Sequence, residues 1–232
     1  MKKILMIFLV IALIVIAGCQ VKEGNVIEVE GDSEISVEPD QAEVWAGVSV
    51  VKLTAEDAQN EANAVINDII EGLRAEGIAD EDIKTERLSL YEERQWENGK
   101  STVVGWRATQ TLKIKTTDLT KVGKIVDVAV DNGANQINNI NFELSEEKEQ
   151  EYKKQALAEA TNNAKEKAET IADSLGVKLG KIKSVSEAEY YFRPYAYPMA
   201  EVAVEKAVAE AAAIMPGKVD VTAHISLVYN IG

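Results

Sequence analysis

The sequence predicts an α+β fold, an α/β sandwich in which a β-α-β-β-α-β segment of ferredoxin-like order is extended by a long helix and C-terminal strands. Three observations carry this. Apolar residues alternate with period two over Ala42, Val44, Ala46, Val48 and Val50, the pattern of a half-buried strand. They recur with helical spacing over Ala58, Ala62, Val65, Ile66, Ile69 and Leu73. Asn98-Gly99 lies between two strand-like runs, which is a strong hairpin signal because both residues tolerate positive φ.

The elements follow in order. Ile27 and Val29, then Ile35 and Val37, read as a small pair of strands turning at Gly31-Asp32. The alternating strand from Ala42 comes next. Thr54 is suited to cap the following helix, with Glu56 and Asp57 where the helix dipole favours acids and Gly77 at its end. Leu88 and Leu90 run toward the Asn98-Gly99 turn, and Trp106, Ala108, Gln110, Leu112 and Ile114 share a face on the return. A second helix carries Leu119, Val122, Ile125, Val126 and Ala129 and stops at Asn132-Gly133. Ile140, Phe142 and Leu144 form another strand, which completes the split order from Gln41 to Leu144. Ser145 caps the longest helix, whose stripe is Tyr152, Ala156, Ala160, Ala164, Ala168, Ile171 and Leu175, closed by Gly176. Val177 to Tyr191 reads as strand with turns, and Val219 to Ile231 as the last strand, with His224 opposite its apolar face. Residues 193–218, bounded by prolines and Ala-rich in the middle, are expected to form a mobile loop.

The N-terminus predicts export. Met1-Lys2-Lys3 precedes an apolar run from Ile4 to Ala17; at about 14 residues it is short of the roughly 20 a spanning helix needs. It ends in Ile16-Ala17-Gly18-Cys19, which resembles a bacterial lipobox. The expectation is a signal peptide at 1–18, a lipidated Cys19, a polar tether over 19–25 and a folded domain over 26–232. Acyl chains on Cys19 would supply the membrane attachment.

Composition narrows the function. The chain has 232 residues and a formal net charge of −14. Removing the leader takes away two lysines and no acid, which leaves the remainder near −16. Such a surface repels phosphate backbones, so nucleic acid is not an expected partner. Cys19 is the only cysteine, so once it is lipidated the domain has no disulfide and no cysteine chemistry. No nucleophile-elbow, dinucleotide, phosphate-loop, calcium-loop or His-Glu-x-x-His pattern occurs. The expectation is a protein that is not an enzyme, without cofactor or metal.

Several residues are candidate sites. His224 is the only histidine, and no nucleophile is tied to it by a motif; it is expected to be structural or on the surface. The carboxylate pairs Asp40/Glu43 and Asp127/Asp131 are expected to be solvated. The amide cluster Asn132, Asn135, Gln136, Asn138, Asn139 and Asn141 reads as a helix cap followed by a strand's polar face, with polar-ligand binding as the alternative. The aromatic cluster Tyr190, Tyr191, Phe192, Arg193, Tyr195 and Tyr197 is the candidate interface, since Tyr and Arg anchor interfaces.

These segments together resemble the SIMPL domain family of exported proteins, which includes periplasmic immunogenic proteins. The stretch from Val29-Glu30-Gly31-Asp32 to Val37-Glu38-Pro39-Asp40 is similar to the family's opening motif. Gly105-Trp106-Arg107-Ala108-Thr109-Gln110 looks like its aromatic-Arg-Ala-x-Gln strand, and Gly133-Ala134-Asn135-Gln136-Ile137 like its Gly-Ala turn. Leu175-Gly176, Leu179-Gly180, Ser186-Glu187 and Pro216-Gly217 fit as well. The resemblance implies an exported α/β protein that forms ring-like or channel-like homo-oligomers, with some members linked to oxidative-stress tolerance. It supplies no catalytic residues. The alternative function is an extracytoplasmic module binding a small polar or glycan ligand.

Overall fold

A computed structural model of the chain describes residues 24–187, 191–196 and 216–232. These form two sheets: one orders β1 (Val26–Val37), β9 (Val219–Ile231) and β6 (Leu179–Glu187), with β7 (Tyr191–Arg193) on β9, and the other orders β3 (Ile83–Glu97), β4 (Lys100–Thr116), β2 (Gln41–Lys52), β5 (Gln136–Glu143) and β8 (Tyr195–Ala196). The chain divides into two compact units.

Among the described residues the larger unit comprises 33–158, 191–196 and 216–223. Strand β2 (Gln41–Lys52) is its centre, with helix α1 (Ala55–Ala75), β3 (Ile83–Glu97), β4 (Lys100–Thr116), α2 (Val122–Asp131) and β5 (Gln136–Glu143) following. This is the split β-α-β-β-α-β order, and the β2–β4, β2–β5 and β3–β4 pairs are all antiparallel. The period-two pattern of β2 places Ala42, Val44, Ala46 and Val48 in the core, against Ile66, Ile69 and Leu73 of α1 and Val122, Ile125 and Ala129 of α2. Each large side chain buried this way contributes about 1.5–3 kcal/mol relative to exposure.

Local signals set the helix ends. The Thr54 hydroxyl accepts the Asp57 amide at 3.1 Å. Gly77, at φ 77°, lets its own N–H reach the Arg74 carbonyl and the Ile78 N–H reach Leu73, a left-handed cap that a β-carbon would strain. The same pair of bonds recurs after α2, at Gly133-Ala134. The hairpin turn joins Glu97 to Lys100 through Asn98 and Gly99, both at positive φ, the two-residue turn that strand twist favours. Asp40 sits at another junction, where its carboxylate accepts the Ser145 N–H and hydroxyl, each at 2.6 Å.

Among the described residues the smaller unit comprises 24–32, 159–187 and 224–232. Three elements contribute residues to both units: β1 (Val26–Val37), α3 (Glu146–Leu175) and β9 (Val219–Ile231). Within the smaller unit, Ile27 and Val29 of β1 and Ile225, Leu227 and Tyr229 of β9 are buried, as are Ala160, Ala164, Ala168 and Ala172 of α3. The remaining strand, β6 (Leu179–Glu187), is paired antiparallel with β9.

Two sequence expectations need correction here. The predicted strand pair turning at Gly31-Asp32 is one continuous strand, β1. Gly31 provides close approach, not a turn: a β-carbon there would overlap the Ala160 carbonyl oxygen and lie 2.6 Å from the Ala164 Cβ. The expected α3 stripe also departs at its end. Its buried line continues through Ala168 to Ala172, while Ile171 and Leu175 are exposed, because the alanines recur every four residues and carry the line along one face.

The close approach makes a testable prediction. Gly31→Val should lower stability by about 1–3 kcal/mol, the usual cost of overpacking, seen as a lower urea midpoint with an unchanged denaturant slope. Glu34→Ala, exposed on the same strand, should stay within about 0.5 kcal/mol of wild type.

Candidate functional site

The two helices cover one face of the five-stranded sheet. On its other face the described residues form an open cleft of about 620 Å³. Strand register builds it row by row. Gly47 of β2 lies opposite Thr111 of β4 and Gln136 of β5, and Thr111 lies opposite Arg87 of β3. One row along, Ser49 faces Thr109, and Thr109 faces Ser89. Next, Val51 faces Arg107, and Arg107 faces Tyr91. At the opposite end Trp45 faces Lys113 on one side and Asn139 on the other.

Ser49 is the hub of the polar contacts. Its hydroxyl lies 3.0 Å from the Thr109 hydroxyl and accepts from the Arg107 guanidinium at 3.1 Å. Its backbone is held by Asn135, whose side-chain oxygen accepts the Ser49 N–H at 2.8 Å and whose NH₂ donates to the Ser49 carbonyl at 2.9 Å. Asn135 thus imitates the pairing of a strand residue. The Gly105–Gln110 and Gly133–Ile137 stretches, far apart in sequence, both reach Ser49.

The cations of the face are mostly compensated. Arg107 donates to Glu93 at 2.7 Å, and that hydrogen bond holds the Glu93 carboxyl below its ordinary pKa. Lys113 pairs with Glu43 at 3.0 Å and lies 5.8 Å from the Trp45 ring centroid. The Glu43 hydrogen bond raises the Lys113 pKa. Arg87 has no ion-pair partner among the described residues but adjoins Glu86 in the cleft lining.

The residues singled out in the sequence are distributed as follows. Gln136, Asn138 and Asn139 of the amide cluster line the cleft. Asn132 bonds its own helix, donating to the Val128 carbonyl at 2.8 Å. Asn141 accepts from Asn139 at 2.9 Å. His224 is exposed and lies 2.7 Å from Asp32, which also meets Lys167 at 3.3 Å. The His224 hydrogen bond is the main cause of the lowered Asp32 pKa. Asp40 is a structural acceptor and Glu43 an ion-pair partner, so that pair is not merely solvated. Asp127 and Asp131 lie one turn apart on α2. In the aromatic cluster, Tyr191, Phe192 and Arg193 form β7, and Tyr195-Ala196 form β8. These strands pair with β9 and β5, and the Tyr191 side chain is exposed. Cys19, Tyr190, Tyr197 and residues 197–215 of the expected loop lie outside the described residues.

Trp45, Ser49, Arg87, Tyr91, Arg107 and Thr109 carry no sequence pattern that marks them as a site. They sit on three strands, and only cross-strand register brings them together. The signal available was parity: on β2 they are the residues between the core positions.

Glu143, near one end of β5, supplies a pH test. Burial and then the charge of Glu43 raise its pKa. A raised folded-state pKa means stability is greatest with the group protonated and falls as pH rises through the folded value. Glu143→Gln should therefore raise the thermal midpoint at pH 7. That gain should vanish below about pH 4, where glutamate is protonated in the unfolded chain as well. A gain independent of pH would contradict the assignment.

The SIMPL family, described as a protein of unknown function (DUF541), matches residues 27–229. A "26 kDa periplasmic immunogenic protein" of Brucella melitensis is 28% identical over 166 residues, covering 69% of this chain and 66% of that protein. The chain thus spans about two thirds of that relative's length. The "uncharacterized protein YggE" of Escherichia coli K12 is 27% identical over 166 residues, covering 72% of this chain and 67% of the relative. Its counterpart in Edwardsiella ictaluri is 27% identical over 180 residues, covering 77% and 74%. With a match running from the second residue of β1 to near the end of β9, the chain belongs to the SIMPL family.

Proposed function

We propose that this chain is an extracytoplasmic envelope protein, anchored by lipid on Cys19, that assembles with copies of itself and performs no catalysis. The extracytoplasmic part is supported by the printed name of the Brucella relative, which calls that protein periplasmic. The lipobox-like Ile16-Ala17-Gly18-Cys19 supports the anchor.

One observation carries the assembly. Pairing of β2 with β4 ends at Lys52 and Trp106, while β3 and β4 go on pairing with each other to Glu97 and Lys100. The outer part of this hairpin is a two-stranded arm, and such an arm is marginally stable alone in water. It nevertheless exposes Trp96 by 74%, with Val103 and Val104 also exposed. Leu53, just past the end of β2, is exposed by 86%. An arm of this kind is stabilised when a second copy covers its apolar side chains. The exposed Tyr191 on β7 offers a second contact, in line with the aromatic cluster singled out above.

Two measurements test the reading. The chain expressed in cells should incorporate radiolabelled palmitate, and Cys19→Ser should abolish the incorporation and change the gel mobility; identical labelling of both forms would sink the anchor. The purified lipidated chain in detergent should sediment as a closed oligomer after correction for bound detergent. Trp96→Glu combined with Val103→Glu should convert it to a monomer with unchanged circular dichroism. A wild-type monomer would refute assembly.

A further inference from the structure

The cleft on the open sheet face has a flat floor and tall ends. Gly47 lies at the middle of the floor, where a β-carbon would overlap the Gln110 carbonyl oxygen and lie 2.8 Å from the Thr111 Cα. Around it stand the short side chains of Ser49, Thr109 and Thr111, with Ser89 beyond. Trp45 rises at one end, Tyr91 and Arg107 at the other. The amides of Gln136, Asn138 and Asn139 form the side along β5. At about 620 Å³ the space falls within the usual range for small-molecule sites.

The chemistry of the lining selects among ligands. Hydroxyls and amides both donate and accept, so they match a ligand whose groups do the same. The cations do not form an anion clamp: Arg107 is committed to Glu93 and Ser49, and Lys113 to Glu43. Arg87 has no ion-pair partner among the described residues, but the Glu86 carboxylate shares the lining with it. A chain of net charge −14 adds a general repulsion of anions. The aromatic rings at the two ends present apolar faces bearing a polar group. One class of molecule carries many hydroxyls, no charge and apolar C–H faces along an extended shape.

We propose that this cleft binds an uncharged oligosaccharide, with Trp45 and Tyr91 packing against sugar rings and the Ser49–Thr109 and Gln136–Asn139 side chains hydrogen-bonding its hydroxyls. The site is separate from the hairpin arm, so a monomeric protein that binds sugar would overturn the assembly and leave this proposal standing.

The test is calorimetric titration of the full chain, held in a detergent without a sugar headgroup, with maltotetraose, cellotetraose and chitotetraose. At least one should bind with a dissociation constant below about 1 mM. Trp45→Ala and Tyr91→Ala should each weaken that binding about tenfold. Tyr91 is half exposed, so its variant keeps the test valid if Trp45→Ala fails to fold. Three outcomes overturn the proposal: no measurable binding to any of the three sugars, binding that survives both substitutions, or displacement of the sugar by inorganic phosphate, which would assign the cleft to an anion.

Discussion

In β2, Ala42, Val44, Ala46 and Val48 are almost wholly buried, and Glu43, Trp45, Gly47 and Ser49 stand on the opposite side of the sheet. Successive side chains of a strand must point to opposite faces, so one pattern serves two ends. Packing α1 and α2 on the even-numbered residues presents the odd-numbered ones on the other side. A slip of one residue would bury Glu43 and Trp45 and strip the core of its valines. The antiparallel neighbours inherit this parity through register. Leu112 and Ile114 of β4 lie opposite Ala46 and Val44 and are buried, while Thr111 and Thr109 accompany Gly47 and Ser49. The core and the cleft are thus consequences of a single register. This is why a change in either can propagate to the other.

The smaller unit is organised by the absence of side-chain bulk. Gly31 admits α3 so closely that a single methyl group would collide with helix backbone. Ala160, Ala164, Ala168 and Ala172 form the helix side of the contact. Alanine loses no side-chain entropy on burial, and it has the highest helix propensity. A long, largely polar helix can therefore be held by a narrow seam. Polar reach supplements the seam: Lys167 donates to the Glu30 carbonyl at 2.8 Å, and Asn163 accepts the Asp32 N–H at 3.3 Å. These bonds occupy outward-facing backbone groups of β1, an end strand of its sheet. Occupying them limits the open pairing edge that such strands otherwise present.

Periodicity made the larger unit legible in order and type, since every core stripe there obeys a two- or four-residue rule. Punctuation by Thr54, Gly77, Asn98-Gly99, Gly133 and Ser145 set its boundaries. Gly31 beside Asp32 reads as a turn from local rules alone, whereas its role depends on a helix more than a hundred residues away. The cleft was half legible. Gln136, Asn138 and Asn139 cluster in sequence and were noticed as amides. Arg107 and Thr109 appeared only as part of a family-like stretch, and Trp45, Arg87 and Tyr91 carried no local signature. A site assembled across antiparallel strands is encoded in register, and register follows from which faces are buried.

The charged groups of the open face are held mostly in pairs. A catalytic carboxylate needs its pKa lifted toward neutrality by burial or by like charge. Glu93 moves the other way, because Arg107 stabilises its ionised form. Glu143 is raised, but it lies on β5 beyond the cleft's lining residues, beside Gln41 and Glu43. Beside Ser49, Arg107 and Glu93 are tied to each other, which favours the charged form of both. The Ser49 hydroxyl lies within hydrogen-bond distance of the Arg107 guanidinium and the Thr109 hydroxyl. A row of hydroxyls and amides over a flat floor, flanked by paired charges, is the arrangement on which the oligosaccharide proposal rests.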